Sequence, residues 1–399
     1  VGLAVIDRLL FYSYLLVGPL AWALMWCALL FGRSRMNRLR GAVPPLGPQP
    51  PSVAIVIPAK DEGSSVAQCI ASALAQDYPR FNVIAIDDRS TDDTSRVLDD
   101  LAAGDSRLRV LHVPAGGLPE GWLGKCHALY LATRDLSSDW LLFVDSDVTL
   151  SATALRHALA VALERRYDAI TILTRLDCRT FLERLVLAPA AAAWMTMNVV
   201  SWTNEDDRPT AAANGQFFLV RRDRYEAAGN HAAVRDQITE DVELARLLKS
   251  GGARVRFLLG SHLATTRMHT NFQQMLHGWG RIYSGSVRRR PAPILLGMLF
   301  IVISGLTVYP AAIYAAVCWK DHADWFWLAA AAAHASLMTT YLAYIYRKSG
   351  NRMRYAWLFP AAAVYLLIFM SYALRLCHTG RYAWRGSVFV TAGRDEPSK

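Results

Sequence analysis

Close-set cysteine pairs are missing from this 399-residue sequence. The six cysteines, Cys27, Cys69, Cys126, Cys178, Cys318 and Cys377, show no paired or metal-ligand spacing, which excludes a disulfide framework and a zinc ribbon and suits a reducing compartment. Charge is scarce too. Asp, Glu, Lys and Arg make up 19% against 53% hydrophobic residues, so part of the chain belongs in lipid. No charge interrupts four stretches, Leu9 to Phe31, Pro293 to Trp319, Trp325 to Tyr346 and Tyr355 to Leu374, each near or above the roughly 20 residues that span hydrocarbon. The first lacks a basic start and a small-residue cleavage site, so it reads as a retained anchor rather than a signal peptide. Within the four, His334 alone is ionisable, which leaves little for a transport pathway.

What charge there is collects beside these stretches. Arg33, Arg35, Arg38 and Arg40 follow the first, Arg288, Arg289 and Arg290 precede the second, and Arg347, Lys348, Arg352 and Arg354 separate the third from the fourth. The positive-inside rule places all three clusters in the cytoplasm. Four spans then send the tail outside, whereas Arg375, Arg381, Arg385 and Arg394 argue for the inside, so its side stays open. The net charge of +10 is largely these clusters, which suit anionic lipid headgroups and lend no support to nucleic acid as a partner.

A proline-rich linker, Pro44 to Pro51, follows the anchor. Beyond it strand and helix patterns alternate: strands at Val53 to Ile57, Val83 to Ile86, Arg109 to Val113 and Trp140 to Val144, helices at Val66 to Leu74, Ser95 to Leu101 and Cys126 to Ala132. Such alternation predicts an α/β, doubly wound, mostly parallel sheet with helices on both faces. The expected plan is an anchor over 1–32, a basic linker over 33–51, a cytosolic catalytic domain over 52–290, three membrane helices over 291–377 and a tail over 378–399. Leu185 to Trp202, apolar but broken by Pro189, reads as an interfacial or re-entrant helix within the catalytic range. There is no internal repeat.

Ligands of such sheets bind at the carboxyl ends of the strands, and three strands here end in acids. Asp145-Ser146-Asp147 offers hard oxygen ligands to a divalent cation, with Asp147 the metal ligand and Asp145 shared between metal and ribose; alone, such a triplet is more often an ordinary turn. After the second strand Asp87 and Asp88 can accept from a base or ribose, while Asp92 caps the next helix. Gly121 to Lys125 precedes a helix whose start favours a diphosphate, with Lys125 adding charge, although it equally fits a plain loop. Its spacing is not that of the nucleoside triphosphatase loop. Glu240 and Asp241 open another helix, where they either serve its dipole or let Asp241 act as base toward an acceptor hydroxyl. His269 is a candidate third metal ligand, and Trp279 and Arg281 are candidates for sugar and phosphate contacts, or else interfacial anchors.

In this order, the motifs resemble the family-two glycosyltransferases with the GT-A fold over roughly Pro51 to Arg290. The match comprises Val53 to Glu62, the Asp87 loop, Gly124-Lys125, the Asp-x-Asp triplet at Asp145, Asn214-Gly215-Gln216 and Glu240-Asp241. The resemblance implies an inverting transfer from a nucleoside diphosphate sugar, a UDP-sugar for choice, with Mg or Mn. It assigns the nucleotide to the loop of Pro58, Ala59 and Glu62 and to Asp88, the metal to Asp147, the base to Asp241, and the acceptor and donor sugar to Asn214, Gly215 and Gln216. One anchor before and about three spans after look like the branch that glycosylates membrane lipids, including ceramide, carotenoid and hopanoid-associated enzymes, and Leu118 to Lys125 is particularly similar to the last. A bacterial inner membrane is the expected location. Processive polysaccharide synthases carry Gln-x-x-Arg-Trp, whereas here Gln274 is followed by His277, Trp279 and Arg281. A nucleotidyltransferase would bring a glycine- and arginine-rich first loop, which Ala59 to Glu62 lacks. A nucleotide-binding membrane scaffold without catalysis is the rival of another class.

Overall fold

The computed structural model describes residues 2–35, 39, 43–322, 325–384 and 387–390. Arg38, Arg40, Arg385 and Arg394 of the charge clusters lie outside the described residues, as does the side chain of Cys318. The chain divides into two compact units. The helical unit takes Val1–Ser34, Cys178–Met197 and His269–Thr379; the sheet unit takes Arg35–Asp177, Asn198–Met268 and Gly380–Lys399.

Strands of the sheet unit are β1 (Val53–Ala59), β2 (Phe81–Asp88), β3 (Leu108–Val113), β4 (Trp140–Phe143), β5 (Val148–Leu150), β6 (Ala169–Leu173), β7 (Arg175–Leu176), β8 (Phe218–Arg221), β9 (Val255–Leu259) and β10 (Ala264–Thr266). Seven form one sheet in the order β3-β2-β1-β4-β8-β6-β9. All pairings are parallel except those of β8, which runs antiparallel between β4 and β6. The chain winds outward from β1 to β3 and then returns to the other side of β1 as β4, so strand order reverses between β1 and β4, where open sheets form their ligand crevice.

Burial explains the uninterrupted apolar runs. Val53 to Ile57 are wholly buried, Val53, Ile55 and Ile57 against the helix Val66–Leu74 on one face, and Ala54 and Val56 beside Ala128, Leu129 and Ala132 of the helix Gly124–Thr133 on the other. Truncating such a buried aliphatic side chain to alanine costs about 2–5 kcal/mol. The described tail forms an antiparallel hairpin, β11 (Arg381–Trp384) with β12 (Ser387–Val390).

Among the described residues of the helical unit, four helices are long and apolar enough to cross a membrane: Val5–Gly32, Pro291–Val317, Trp325–Lys348 and Met353–Thr379. They coincide with the four uncharged stretches, but the first starts early enough to include Asp7, whose carboxylate accepts from Tyr314 Oη at 2.7 Å and Trp327 Nε1 at 3.2 Å. Two of them contain π-helical turns, Leu16–Leu20 with Pro19 and Ile301–Leu306. Their widened backbone serves a buried polar node. The Ser304 carbonyl accepts from Trp22 Nε1 and from His334 Nε2 at 2.8 Å, and Tyr14 Oη lies 2.9 Å from His334 Nδ1. A carbonyl only accepts, so Nε2 carries the proton and Nδ1 receives one from Tyr14.

The apolar stretch expected at Leu185 to Trp202 is a helix over Phe181–Met197 followed by a separate turn at Val200–Asn204. Leu185 to Ala190 are buried, and the carbonyls of Leu185 and Ala190, next to the N–H gap at Pro189, accept from Tyr346 Oη at 2.6 Å and Tyr283 Oη at 3.0 Å.

Candidate functional site

The loops after β1 and β2 are fastened to each other. Asp61 N–H donates to Ser90 Oγ at 3.0 Å, Glu62 N–H to Thr94 Oγ1 at 2.8 Å and Gly63 N–H to Asp92 Oδ2 at 3.0 Å, while Asp61 Oδ1 accepts from Thr91 N–H at 2.7 Å. Asp61 and Arg89 both take left-handed backbone, with φ of 51° and 58°, to make these turns. Asp92 also accepts at 2.9 Å from Thr94 N–H, the first of the helix Thr94–Gly104, and ties the first loop down as well, while the cap position itself is Asp93.

The neighbouring acids differ in freedom. Asp87 is held within its own loop by Ser90 N–H, the Ser95 hydroxyl and His112. Burial pushes its carboxyl up, but the hydrogen bonds from Ser90, Ser95 and His112 outweigh it and the net direction is down. Asp88 pairs through Oδ1 with Arg89 Nε at 2.7 Å, while its buried Oδ2 has no hydrogen-bond partner among the described residues. That oxygen lies where a Cβ on Gly124 would stand, 2.2 Å away, with Arg89 Nη2 at 2.6 Å. Gly124→Ala therefore displaces Asp88, and should cost about 1–3 kcal/mol of stability, read as a lower melting temperature.

Lys125 follows Gly124 at a helix start that Leu123 N–H fixes to Arg235 O at 2.7 Å. Its ammonium is ion-paired, with Nζ 2.7 Å from both Asp145 Oδ1 and Glu240 Oε1. It thus joins an acid from the end of β4 to one from the helix Glu240–Ser250. Burial opposes its charge, but Asp145, Glu240 and Asp241 outweigh that and hold its pKa well above the usual lysine range.

Asp241 is oriented by backbone. Oδ2 accepts from Gly215 N–H at 2.6 Å and Oδ1 from Val242 N–H at 2.8 Å. Burial first, then the Glu240 charge, push its carboxyl up to about 7. Asn214 and Gln216 build the turn that presents Gly215: Asn214 N–H donates to Thr171 Oγ1 at 2.8 Å and its Nδ2 to Ile172 O at 3.0 Å, while Gln216 Oε1 accepts from Thr174 and from Asn214. Pro58, Lys125, Asp145, Gly215, His231, Glu240 and Asp241 line one pocket with Leu129, Phe143, Val144 and Phe218, at the mouth of the β1/β4 crevice. His231 is the member that sequence reasoning missed; a lone histidine in an irregular stretch carries no spacing signal.

Asp147 Oδ1 is buried without a hydrogen-bond partner among the described residues. Burial first, then the charges of Asp145 and Glu62, push its carboxyl up to about 7. Crowded carboxylate oxygens of this kind fit a hard divalent cation. They do not form a ready-made cage: among the described residues no trio of His, Cys, Asp or Glu could hold a metal by itself. Within the sheet unit Lys125 engages Asp145, and within the helical unit the His269 ring lies against Gly278, where a Cβ would come within 2.1 Å of Nε2. Trp279, buried beside Tyr283, and Arg281 belong to the helix Phe272–Ser286 of that same unit.

Comparison with known proteins gives the family of this fold. A family model described as glycosyltransferase like family 2 matches residues 50–281, more than half the chain, and the chain belongs to that family. The 4,4'-diaponeurosporenoate glycosyltransferase of Staphylococcus aureus (strain USA300) is 27% identical over 235 residues, 57% of this chain and 60% of that protein. The match thus spans less than two thirds of that relative's length. The solved mannosyltransferase PcManGT from Pyrobaculum calidifontis, in complex with GDP-Man and Mn2+, aligns over 92% of this chain and 99% of its own at a TM-score of 0.50 and 16% identity, a likeness of fold. The GT-A architecture with one N-terminal and three C-terminal candidate spans is as the sequence predicts.

Proposed function

We propose that this chain moves a sugar from a nucleoside diphosphate sugar to a membrane lipid at the cytoplasmic face of a bacterial inner membrane, with inversion and one sugar per encounter. The observation that carries the reading is the gathering of Asp145, Glu240 and Asp241 around Lys125 in one pocket, with Asp147 close enough to feel the charges of Asp145 and Lys125, in a chain that also bears four candidate spans among the described residues. The relative named a 4,4'-diaponeurosporenoate glycosyltransferase supports a lipid acceptor. The fold neighbour solved with GDP-Man and Mn2+ supports a nucleotide-sugar donor and a divalent cation.

The loop from Pro58 to Glu62 and the buried Oδ2 of Asp88 would receive the base and ribose, a UDP donor being the first to try. Asp147, with Asp145, would hold Mg or Mn, whose charge offsets that developing on the departing diphosphate. Asp241 takes the proton of the acceptor hydroxyl as its oxygen forms the new bond to the anomeric carbon and the bond to the diphosphate breaks. A carboxyl poised near 7 is matched to that task at neutral pH. Lys125 keeps the acids compatible before the donor arrives and remains within their reach when phosphate enters. Gly215 orients the base, and Asn214 and Gln216 hold the turn that carries it. Within the helical unit, the helix Phe181–Met197 would meet the acyl chain. The basic flanks would meet anionic headgroups.

Mass spectrometry of lipids from cells with and without the gene tests the reading. A glycolipid lost on deletion and restored by the intact gene is expected; an unchanged lipid profile with an altered polysaccharide would favour a polymerising synthase instead.

A further inference from the structure

His231 is 2% exposed and lines the pocket with Lys125, Asp145, Gly215, Glu240 and Asp241, but takes no part in holding nucleotide, cation or base. A chain of hydrogen bonds fixes where its proton sits. A backbone carbonyl only accepts, so Thr133 Oγ1, 2.8 Å from Leu129 O, donates its proton there. Tyr225 Oη, 3.0 Å from Thr133 Oγ1, must then donate to that oxygen. With its own proton committed, the phenol oxygen accepts from His231 twice, from the backbone N–H at 3.2 Å and from Nδ1 at 2.6 Å. Nδ1 therefore carries the ring proton, and Nε2 has a lone pair.

The ring is also kept neutral and fixed in plane. Burial first, then the Lys125 charge, push its pKa down to about 3. Phe143 packs edge-on against it with centroids 4.9 Å apart. Nδ1 faces Tyr225, which is not among the residues lining the pocket, and Nε2 lies on the ring edge away from Tyr225. The acids around it already hold donors: Asp145 and Glu240 the Lys125 ammonium, Asp241 two backbone N–H groups. A sugar hydroxyl entering this space meets Nε2 as its neutral acceptor.

We propose that His231 Nε2 accepts a hydrogen bond from one hydroxyl of the sugar being transferred, and so helps decide which hexose the pocket admits. This rests on the glycosyl-transfer reading. Thr133 and Tyr225 are positioning residues that act by enforcing the tautomer. A pocket built to pair a hydroxyl discriminates against the sugar that lacks it, because its acceptor is then left buried and unpaired.

The test uses the full chain, with the donor chosen from a panel of UDP- and GDP-hexoses and each monodeoxy form of it. Wild type should lose about tenfold in kcat/KM on one deoxy position. His231→Leu should lose as much on the parent donor, mainly in KM, and nothing more on that deoxy form. Tyr225→Phe, which frees the tautomer, should weaken the same discrimination part-way. If His231→Leu keeps the whole deoxy penalty at every position, the proposal is overturned. Should His231→Leu fail to fold, as judged by its melting temperature, Tyr225→Phe decides, and undiminished discrimination there overturns it. No transfer by wild type with any donor would instead remove the transfer reading. Calorimetric titration of the same donors then tests His231 alone: weaker binding of the parent donor by His231→Leu supports it, equal affinity overturns it.

Discussion

Asp241→Asn should lower kcat by about a thousandfold while donor affinity stays within about twofold of wild type. The size follows from deleting a general base and leaving the loops after β1, β2 and β4 intact. The two backbone donors add a stability effect. Asp241 accepts from Gly215 and Val242 through separate oxygens, and an asparagine keeps one acceptor while turning its NH2 toward the other N–H. That mismatch costs about 1–3 kcal/mol, so the melting temperature falls modestly and must be read beside the rate. The pH profile gives a second signature. The carboxyl is pushed up to about 7 and acts in its ionised form, so wild-type kcat/KM should fall as pH drops below about 7. The residual activity of Asp241→Asn should lack that limb, and a wild-type-like limb in the variant would assign it to another group.

Asp147→Ala should weaken donor binding in Mn2+ by tenfold or more, about 1.4 kcal/mol at least, and make it indifferent to chelator. The substitution has an opposite effect on the protein without cation. A carboxyl whose folded-state pKa is raised adds stability below the unfolded value, and that contribution is lost as pH rises toward about 7. Asp147 is therefore a liability above neutrality until a cation compensates it. The alanine variant should melt at or above wild type in chelator at pH 8, and lose the rise that Mn2+ gives wild type. Equal donor affinity of wild type with and without chelator would count against a metal at Asp147.

Much of the sheet was legible because burial on both faces writes itself as unbroken apolar runs. Val53 to Ile57 announces β1, and Val66 to Leu74 is the observed helix to the residue. The antiparallel β8 was not foreseen: Phe218 to Arg221 is four residues long and follows closely on the Asn214 turn. The acids were legible as strand-end and helix-start signals, but their partners were not. Lys125 reads as a phosphate ligand from its place at a helix start, whereas pairing with Asp145 and Glu240 depends on residues 20 and 115 positions away. Asp87 and Asp88 are adjacent and alike in sequence. Only the packing of Ser95 and His112 on one side and Gly124 on the other makes the first a loop tie and the second an open acceptor.

The most direct measurement follows a radiolabelled sugar from its nucleotide into a lipid extract, using the full chain in membranes with Mn2+ and the Asp241→Asn variant beside it. Label should enter the organic phase with wild type as a single-sugar product and stay in the aqueous phase with the variant. Label recovered as free sugar or polymer, or an equal organic yield from both proteins, would contradict the account.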